Sequence, residues 1–442
     1  MNFIRGFFMF VCMEIQNLYY LFLEKENVST DTRNIIKDSI FFALKGENFD
    51  ANQFAQQALD NGASYVVVDD KNVVKSDKFI LVDDVLTTLQ SLANHHRKQF
   101  KIPVIGITGS NGKTTTKELI FAVLSKKYNT LATKGNLNNH IGVPLTLLSL
   151  KKDTEIAIIE MGANHIGEIE FLSKIAEPTF GIITNIGKAH IEGFGSYEGV
   201  IQTKSELYKF IKQKEGILFV NEDDELLMDL SSEINRIGYG ENAKSHDFKL
   251  VESSPNLIIS WNNNLITNNL YGKYNFPNIM AAICIGDYFN VDEQDIIDAI
   301  TNYVSTNNRS QFAEIGENTY YLDAYNANPT SMNAAIETFI EGQFSNKLMI
   351  LGDMLELGSV SDEEHRTIID KAVNNHLATI FVGNNFFSFS DKYKDNELLH
   401  FFKNYEEVIK WFIDNKPKNR NILVKGSRGI KLEKIVEAQK IE

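Results

Sequence analysis

Between the apolar run VIGIT and a helical stretch the chain reads TGSNGKTTTK, Thr108 to Lys117. Gly109 and Gly112, with Ser110 and Asn111 between them, let backbone N–H groups approach phosphate oxygens. The helix expected to begin near Thr114 turns its positive end toward the same point. Lys113 supplies a mobile charge for the outer phosphates, and Thr114, followed by Thr115, supplies a hydroxyl suited to Mg2+. The common phosphate loop carries a glycine five residues before the glycine that precedes lysine, and that position here is Ile107. Nucleotide binding through a shortened loop is the chemistry this stretch predicts.

Three further stretches carry groups that could work beside such a loop. IIEMGANHIGEI sets Glu160 at the end of a second apolar run, where an uncompensated carboxylate is costly and a cation would remove the cost. IITNIGKAHIEGFGS repeats the arrangement, with Asn185 and His190 in the loop after a third run. A neutral imidazole can ligate Mg2+, although oxygen ligands are the usual choice, and a plain hydrogen-bonding role for His190 weighs equally. Parallel strands would deliver Glu160 and His190 to the same place. His165 reads as a turn or surface residue, and Lys204, in the amphipathic VIQTKSELYKF, reads on its own as a solvated surface lysine.

The elements that must position these groups follow from the apolar pattern. From Ile15 to about Phe100, SIFFALKG and ASYVVVDD read as strands around the helix NQFAQQALDNG, a small α/β domain. From Lys101 the runs VIGIT, EIAIIEMG, TFGIITNIG and GILFVNED alternate with helical stretches, the pattern of a parallel sheet covered on both faces. After Arg309 the pattern returns with KLMILGDM, ATIFVGNN and NILVKGSRG. The expected fold class is therefore α/β in three domains: residues 1–100, a central parallel-sheet domain over 101–310, and a C-terminal Rossmann-like domain over 311–442. WNNNLITNNL reads as a hairpin with its connection.

A length of 442 residues suits about three domains. Lysine and arginine number 44 against 58 acidic residues, a net charge of -14 spread along the chain, which argues against nonspecific nucleic-acid binding. Two cysteines, Cys12 and Cys284, form no disulfide framework and no metal spacing, and Cys284 reads as a small core residue. Arg5 and the apolar run through Met13 imitate a signal peptide, but the run is too short to span a bilayer and no cleavage site follows. Residues 1–12 read as an upstream-start extension with Met13 as the functional start, and the expected location is cytoplasmic with no membrane span.

The loop GSNGKTT, EMGANHIGEI, NIGKAHIEGFGS, KSELY and GKYNFPNIMAA occur in the order seen in the Mur ligases, ATP-dependent amide-forming enzymes of peptidoglycan synthesis, and the chain resembles that family from Met13 onward. The family has its own shortened phosphate loop. LDAYNANPTSMNAAI, LGDMLELG and KGSRGIKLEKIV resemble the branch that adds D-alanyl-D-alanine to UDP-N-acetylmuramoyl-tripeptide through an acyl phosphate, while STDTRNIIKDSIFFALKGENFDANQF resembles a uridine-nucleotide domain. The resemblance implies ATP and a pair of Mg2+ ions as cofactors. Gly109 through Thr115 would bind the ATP phosphates, and Thr114, Glu160 and His190 would hold metal. Lys204 would join them if carbamylated, as the family often is at that lysine. Lys113, His190 and Lys204 are then the catalytic set. Asn278, Arg309 and Asp323 match nucleotide contacts. Thr32, Arg33, Lys45 and Asp50 fall in the UDP-sugar pocket, Asn139 faces substrate, and Asn326 and Asn328 are the residues chosen for the dipeptide. A monomer is expected.

Four positions depart from the family's pattern: Thr32 for the usual serine, Tyr274 for a histidine before Asn275, and Ala51-Asn52 for Gly-His. A sister amide ligase, either the Mur enzyme that adds the third residue or folylpolyglutamate synthetase, is the nearest alternative reading, and DAYNANP weighs against both. An NTP-driven switch is the other, and the shortened loop and separate uridine-type domain weigh against that.

Overall fold

Branched and aromatic runs without polar alternation persist as strands where both faces are covered, and the computed structural model places each run read above as a strand inside a sheet. It describes residues 14–440 except 244–245, 255 and 306–308, so the N-terminal apolar run, the start-site expectation and Cys12 lie outside the described residues. The chain forms two compact units. One comprises the chain up to Gly106 with Leu131–Met161 and Phe171–Thr179; the other comprises Ile107–Thr130, Gly162–Glu170 and everything from Phe180.

Within the first unit lies a four-stranded parallel sheet in the order Val28–Ser29, Ile40–Phe42, Tyr65–Val68, Phe79–Leu81. Phe41, Val66 and Val68 pack there against Ala51, Ala55 and Ala58. Because all four strands run the same way, their carboxyl ends bring Asp31 to Arg33, Lys45 and Asp69 to one edge, where open α/β sheets bind ligands. The helix Val85–Arg97 starts at Asp84, whose carboxylate accepts the Thr87 N–H at 2.6 Å.

The central sheet has six strands in the order Arg236–Tyr239, Ile217–Asn221, Phe180–Ile183, Val104–Thr108, Ile156–Glu160, Thr130–Ala132. In the second unit the helix Lys113–Leu124 packs on Phe276–Tyr288, which is buried on nearly every side. Cys284 lies inside that helix, fully buried, with its thiol pushed up to about 12 by burial, and is the core residue expected. The asparagine-rich hairpin forms as read: Leu257–Trp261 pairs antiparallel with Asn264–Asn268, and Asn262 and Asn263 take φ of 49° and 64° in the two-residue turn.

A second six-stranded sheet follows in the order Gln311–Ile315, Asn318–Asp323, Asn421–Lys425, Lys347–Gly352, Thr379–Val382, Leu399–Phe402. Its first strand is antiparallel and the others are parallel. Apolar clusters cover both faces, Met332, Ile336 and Phe339 on one and Val408, Phe412 and Ile435 on the other. Asp323, Lys425 and the segment from Asn326 to Asn328 gather at the carboxyl ends of the middle strands. The fold class is α/β throughout, as the apolar pattern predicts. Among the described residues no helix is long and apolar enough to cross a membrane.

Candidate active site

In the second unit, Gly109 and Gly112 occur where no other residue fits. Gly109 takes φ +144° and an added Cβ would lie 2.0 Å from Thr184 Oγ1; Gly112 takes φ +78° and its Cβ would lie 2.7 Å from Asn278 Oδ1. The helix begins at Lys113, one residue before the expected start, with Thr114, Thr115 and Thr116 buried in its first turn. The loop is held by the segment after strand Phe180–Ile183. Asn185 accepts the Asn111 N–H on its Oδ1 at 3.0 Å and the Ser110 N–H on its carbonyl at 2.9 Å, and donates from Nδ2 to the Asn111 carbonyl at 3.0 Å. Thr184 Oγ1 donates to the same carbonyl at 2.6 Å. Lys113 folds back, its Nζ donating to the Gly109 carbonyl at 2.7 Å.

Lys204 is not the solvated lysine that its own segment suggests. Its helix, Tyr197–Gln213, buries the whole stretch from Thr203 to Tyr208, and Lys204 is 2 % exposed. Burial, reinforced by the charge of Lys113, lowers its pKa to about 7, against the opposing pull of Glu168 and Glu206. Glu206 is itself engaged, accepting the Gly167 and Glu170 N–H groups at 2.8 and 2.9 Å. The Lys204 ammonium lies over the Phe194 ring, 5.3 Å from its centroid. His165, as expected, is exposed and pairs with Glu168 at 3.5 Å.

His190 starts the short helix Ile191–Phe194 from a left-handed backbone, φ 53°, and its Nδ1 meets the Glu356 carboxylate. That imidazole holds the Glu356 carboxyl below its ordinary range. Neighbouring contacts bind the same loop to the C-terminal sheet's helices: the Lys188 N–H donates to Thr330 Oγ1 at 3.1 Å, and Lys188 Nζ pairs with Glu364 at 2.9 Å. Asn328 reaches the phosphate loop itself, donating from Nδ2 to Asn111 Oδ1 at 2.8 Å while its own Oδ1 caps the helix Pro329–Glu341 through Ser331. Asn328→Ala is expected to cost about 0.5–2 kcal/mol of stability, the range for a lost cap. Asn328→Asp keeps the cap acceptor and loses only the donor to Asn111. Chemical denaturation should show Asp near wild type and Ala well below; equal losses would refute the cap assignment.

Asn278 lies against Gly112, accepting from Thr116 Oγ1 and donating to Asn275 Oδ1, each at 3.0 Å. Tyr274, standing for the family's histidine, places its hydroxyl 3.2 Å from Ser310 Oγ. Arg309 stacks its guanidinium 3.6 Å from the centroid of the Tyr325 ring, and Arg428 lies 5.2 Å from the same ring. Asp323 pairs with buried Lys425 at 2.6 Å, and Lys425 also reaches the Asn326 carbonyl at 3.4 Å.

In the first unit, Glu160 is 1 % exposed, its Oε1 accepting from Asn138 Nδ2 at 2.8 Å and its N–H donating to Thr133 Oγ1 at 3.0 Å. Asn139 is exposed and caps the helix Gly142–Leu147 through the Gly142 N–H at 2.9 Å. Arg33, 85 % exposed, is bidentate to Asp31, whose carboxyl it holds down at about 2; Thr32 lies between them. Lys45 pairs with Asp69 at 2.7 Å. Asn52, in the place of the family's histidine, still donates: its Nδ2 reaches Asp50 at 2.8 Å and Asp69 at 2.7 Å.

Glu160, in the first unit, is a buried oriented carboxylate, and His190, in the second, is an imidazole with one nitrogen against a carboxylate; each by itself is a side chain of a type that suits a divalent cation. No group of three or more His, Cys, Asp or Glu converges among the described residues. Sequence reasoning missed Asn138, Glu356, Tyr325 and the clamping role of Asn185, whose partners lie far along the chain.

A glycine loop at a strand-to-helix turn, tied to a second α/β layer by its own side chains, defines an α/β nucleotide-binding enzyme. Residues 107–286 match the Mur ligase middle domain and 308–428 the Mur ligase glutamate ligase domain. The UDP-N-acetylmuramoyl-tripeptide--D-alanyl-D-alanine ligase of Bacillus subtilis (strain 168) is 35% identical over 421 residues, covering 93% of this chain and 92% of the relative. The same-named ligase of Escherichia coli (strain K12) is 32% identical over 428 residues, covering 93% of each. MurF from Acinetobacter baumannii superposes with TM-score 0.83 at 31% identity over 94% of this chain and 93% of its own. MurF ligase from Thermotoga maritima in complex with ADP gives 0.82 at 28% identity, covering 95% and 98%. The chain belongs to the Mur ligase family, among its MurF-type members.

Proposed function

We propose that this chain is the ATP-dependent ligase that joins D-alanyl-D-alanine to UDP-N-acetylmuramoyl-tripeptide in peptidoglycan precursor synthesis, the process underlying cell shape and division. The observation that carries the chemistry is the glycine loop Gly109–Lys113, fixed open by Asn185 with buried Lys204 within electrostatic reach of Lys113.

In the reaction, the tripeptide's terminal carboxylate attacks the γ-phosphorus of ATP, the bond to the β,γ-bridging oxygen breaks, and an acyl phosphate and ADP result. The free amine of D-alanyl-D-alanine then attacks the acyl carbon, phosphate leaves, and the amine's proton passes to solvent. The loop N–H groups from Gly109 to Gly112 cradle phosphate oxygens, and Lys113 exchanges the Gly109 carbonyl for the γ-phosphate. Asn278, Arg309 and Asp323 bind the rest of the nucleotide. Thr114, Glu160 and His190 would hold Mg2+, a pair of ions, which when bound would neutralise charge developing on the transferred phosphoryl group. A lysine with a pKa near 7 is substantially neutral at physiological pH, so its amine can take up carbon dioxide, lose a proton and become a carbamate. That would convert Lys204 from a buried amine into an anionic oxygen donor for the metal. Thr32, Arg33, Lys45 and Asp50 receive the UDP-sugar, Asn139 the rest of that substrate, and Asn326 and Asn328 the dipeptide.

We assign residues 1–100 to UDP-sugar binding, 101–310 to ATP and 311–442 to the acceptor, with closure of the last on the second protecting the acyl phosphate from water. The enzyme acts as a monomer in the cytoplasm, where ATP and UDP-linked precursors are made, and takes no nucleic acid. The test is phosphate release with ATP and Mg2+, using the lysine and diaminopimelate forms of the tripeptide with and without D-alanyl-D-alanine. Release that needs both substrates, with a pentapeptide product by mass, is expected; release with ATP alone would overturn the ligase reading.

A further inference from the structure

The motif LGDMLELG carries two acids that the structure uses differently. Asp353 is buried and accepts the Asn385 and Phe386 N–H groups at 2.8 and 2.9 Å, which makes it a cap for the short helix Asn384–Phe387. Glu356 faces away from that core and meets His190 Nδ1. We propose that Glu356 is a positioning residue for the metal site: it fixes the ring and tautomer of His190 so that Nε2 is presented to the divalent cation that accompanies ATP. This rests on His190 being a metal ligand, as read above.

Four observations carry the assignment. A carboxylate on Nδ1 selects the Nδ1–H tautomer, which leaves Nε2 as the ring's lone pair, the arrangement that metal-bound histidines commonly use. Glu356 is more than half exposed, 56 % for its side chain, and an exposed ion pair contributes little to stability. Both residues nevertheless hold left-handed backbones, φ 53° at His190 and φ 63° at Glu356, a cost that a surface pair of small worth does not explain. The meeting is also fixed by main chain: the Glu192 N–H donates to the Glu356 carbonyl at 3.3 Å.

Glu356 belongs to the C-terminal sheet's region and His190 to the loop beside the phosphate site, 166 residues earlier (356 minus 190). Orientation of the metal ligand therefore depends on the two being docked. Cation affinity, and not only catalysis, should report the contact.

The experiment is a Mn2+ titration of the full chain in the presence of ADP, followed by electron paramagnetic resonance, for wild type, E356Q, H190A and the double variant, with E356D as a second probe. E356Q keeps the shape of the side chain and loses its charge. The expected result is Mn2+ affinity weakened by about tenfold or more in E356Q, at least as much in H190A, no further loss in the double variant, and partial recovery in E356D. Loss in H190A with E356Q unchanged overturns the proposal and leaves His190 as a ligand. No loss in H190A overturns the metal reading of His190 and the proposal with it. Losses that add in the double variant make Glu356 an independent ligand and also overturn it. An unchanged circular dichroism spectrum in each variant separates these outcomes from unfolding.

Discussion

Replacing Lys113 with alanine abolishes ligation: turnover falls at least a hundredfold while the fold persists. Lys113 stands at the first position of the helix Lys113–Leu124, and its ammonium rests on the Gly109 and Ser110 carbonyls at 2.7 and 3.3 Å. Those acceptors belong to the loop's own backbone, so the resting contact holds the charge where phosphate oxygens would replace it. A single preorganised donor aimed at charge that develops in a transition state is worth about 100- to 1,000-fold in rate. The loop itself is held by Asn185 and Thr184, so its shape does not depend on this side chain. Steady-state phosphate release and a thermal melt of the same preparation check both halves. A variant that keeps more than about a tenth of the wild-type rate would end the assignment of Lys113 to the transferred phosphate.

Lys204→Met should lose activity by a comparable factor and become more stable, two effects of opposite sign from one substitution. Methionine matches the length of the buried stem and needs no charge solvated. The folded pKa of Lys204 is about 7, below the ordinary lysine value of 10.5, so the unfolded chain binds more protons than the folded one across that interval. The sign follows: stability is penalised below about pH 7 and recovers as pH rises toward the unfolded value, by at most about 1.4 kcal/mol per pH unit. In carbon dioxide-free buffer, denaturation midpoints of the wild type should climb between pH 7 and 9, and those of Lys204→Met should climb less from a higher start. A methionine variant that is less stable at pH 7, or one that shares the wild-type slope, would show that Lys204 is not held as a penalised buried amine. The lost activity of the same variant follows from removal of the amine that forms the carbamate.

Much of the architecture is legible in the chain because parallel strands covered on both faces leave uninterrupted apolar runs, and VIGIT, EIAIIEMG and KLMILGDM all become strands. The phosphate loop is legible for a similar reason, since glycine spacing and the lysine that follows are local. Lys204 is not legible: it sits in a helix whose periodicity looks amphipathic, and only the sheet and helix start packed above it decide that Thr203 through Tyr208 are all covered. Asn138, Asn185 and Glu356 escape for another reason, because each acquires its role from a partner brought in by topology, such as Glu160 for Asn138 across 22 residues and Asn111 for Asn185 across 74. The departure at Asn52 shows the reverse case, a substitution that looks disabling in sequence yet retains a donor in place.

The side chains that shape the phosphate loop are mostly neutral amides: Asn111, Asn185, Asn278 with its neighbour Asn275, and Asn328. Dissolved ions screen charges and leave amide hydrogen bonds nearly untouched. Raising the ionic strength should therefore weaken the attraction between the nucleotide's phosphates and the lysine without deforming the receptacle, so that salt separates the pull on the ligand from the mould that receives it.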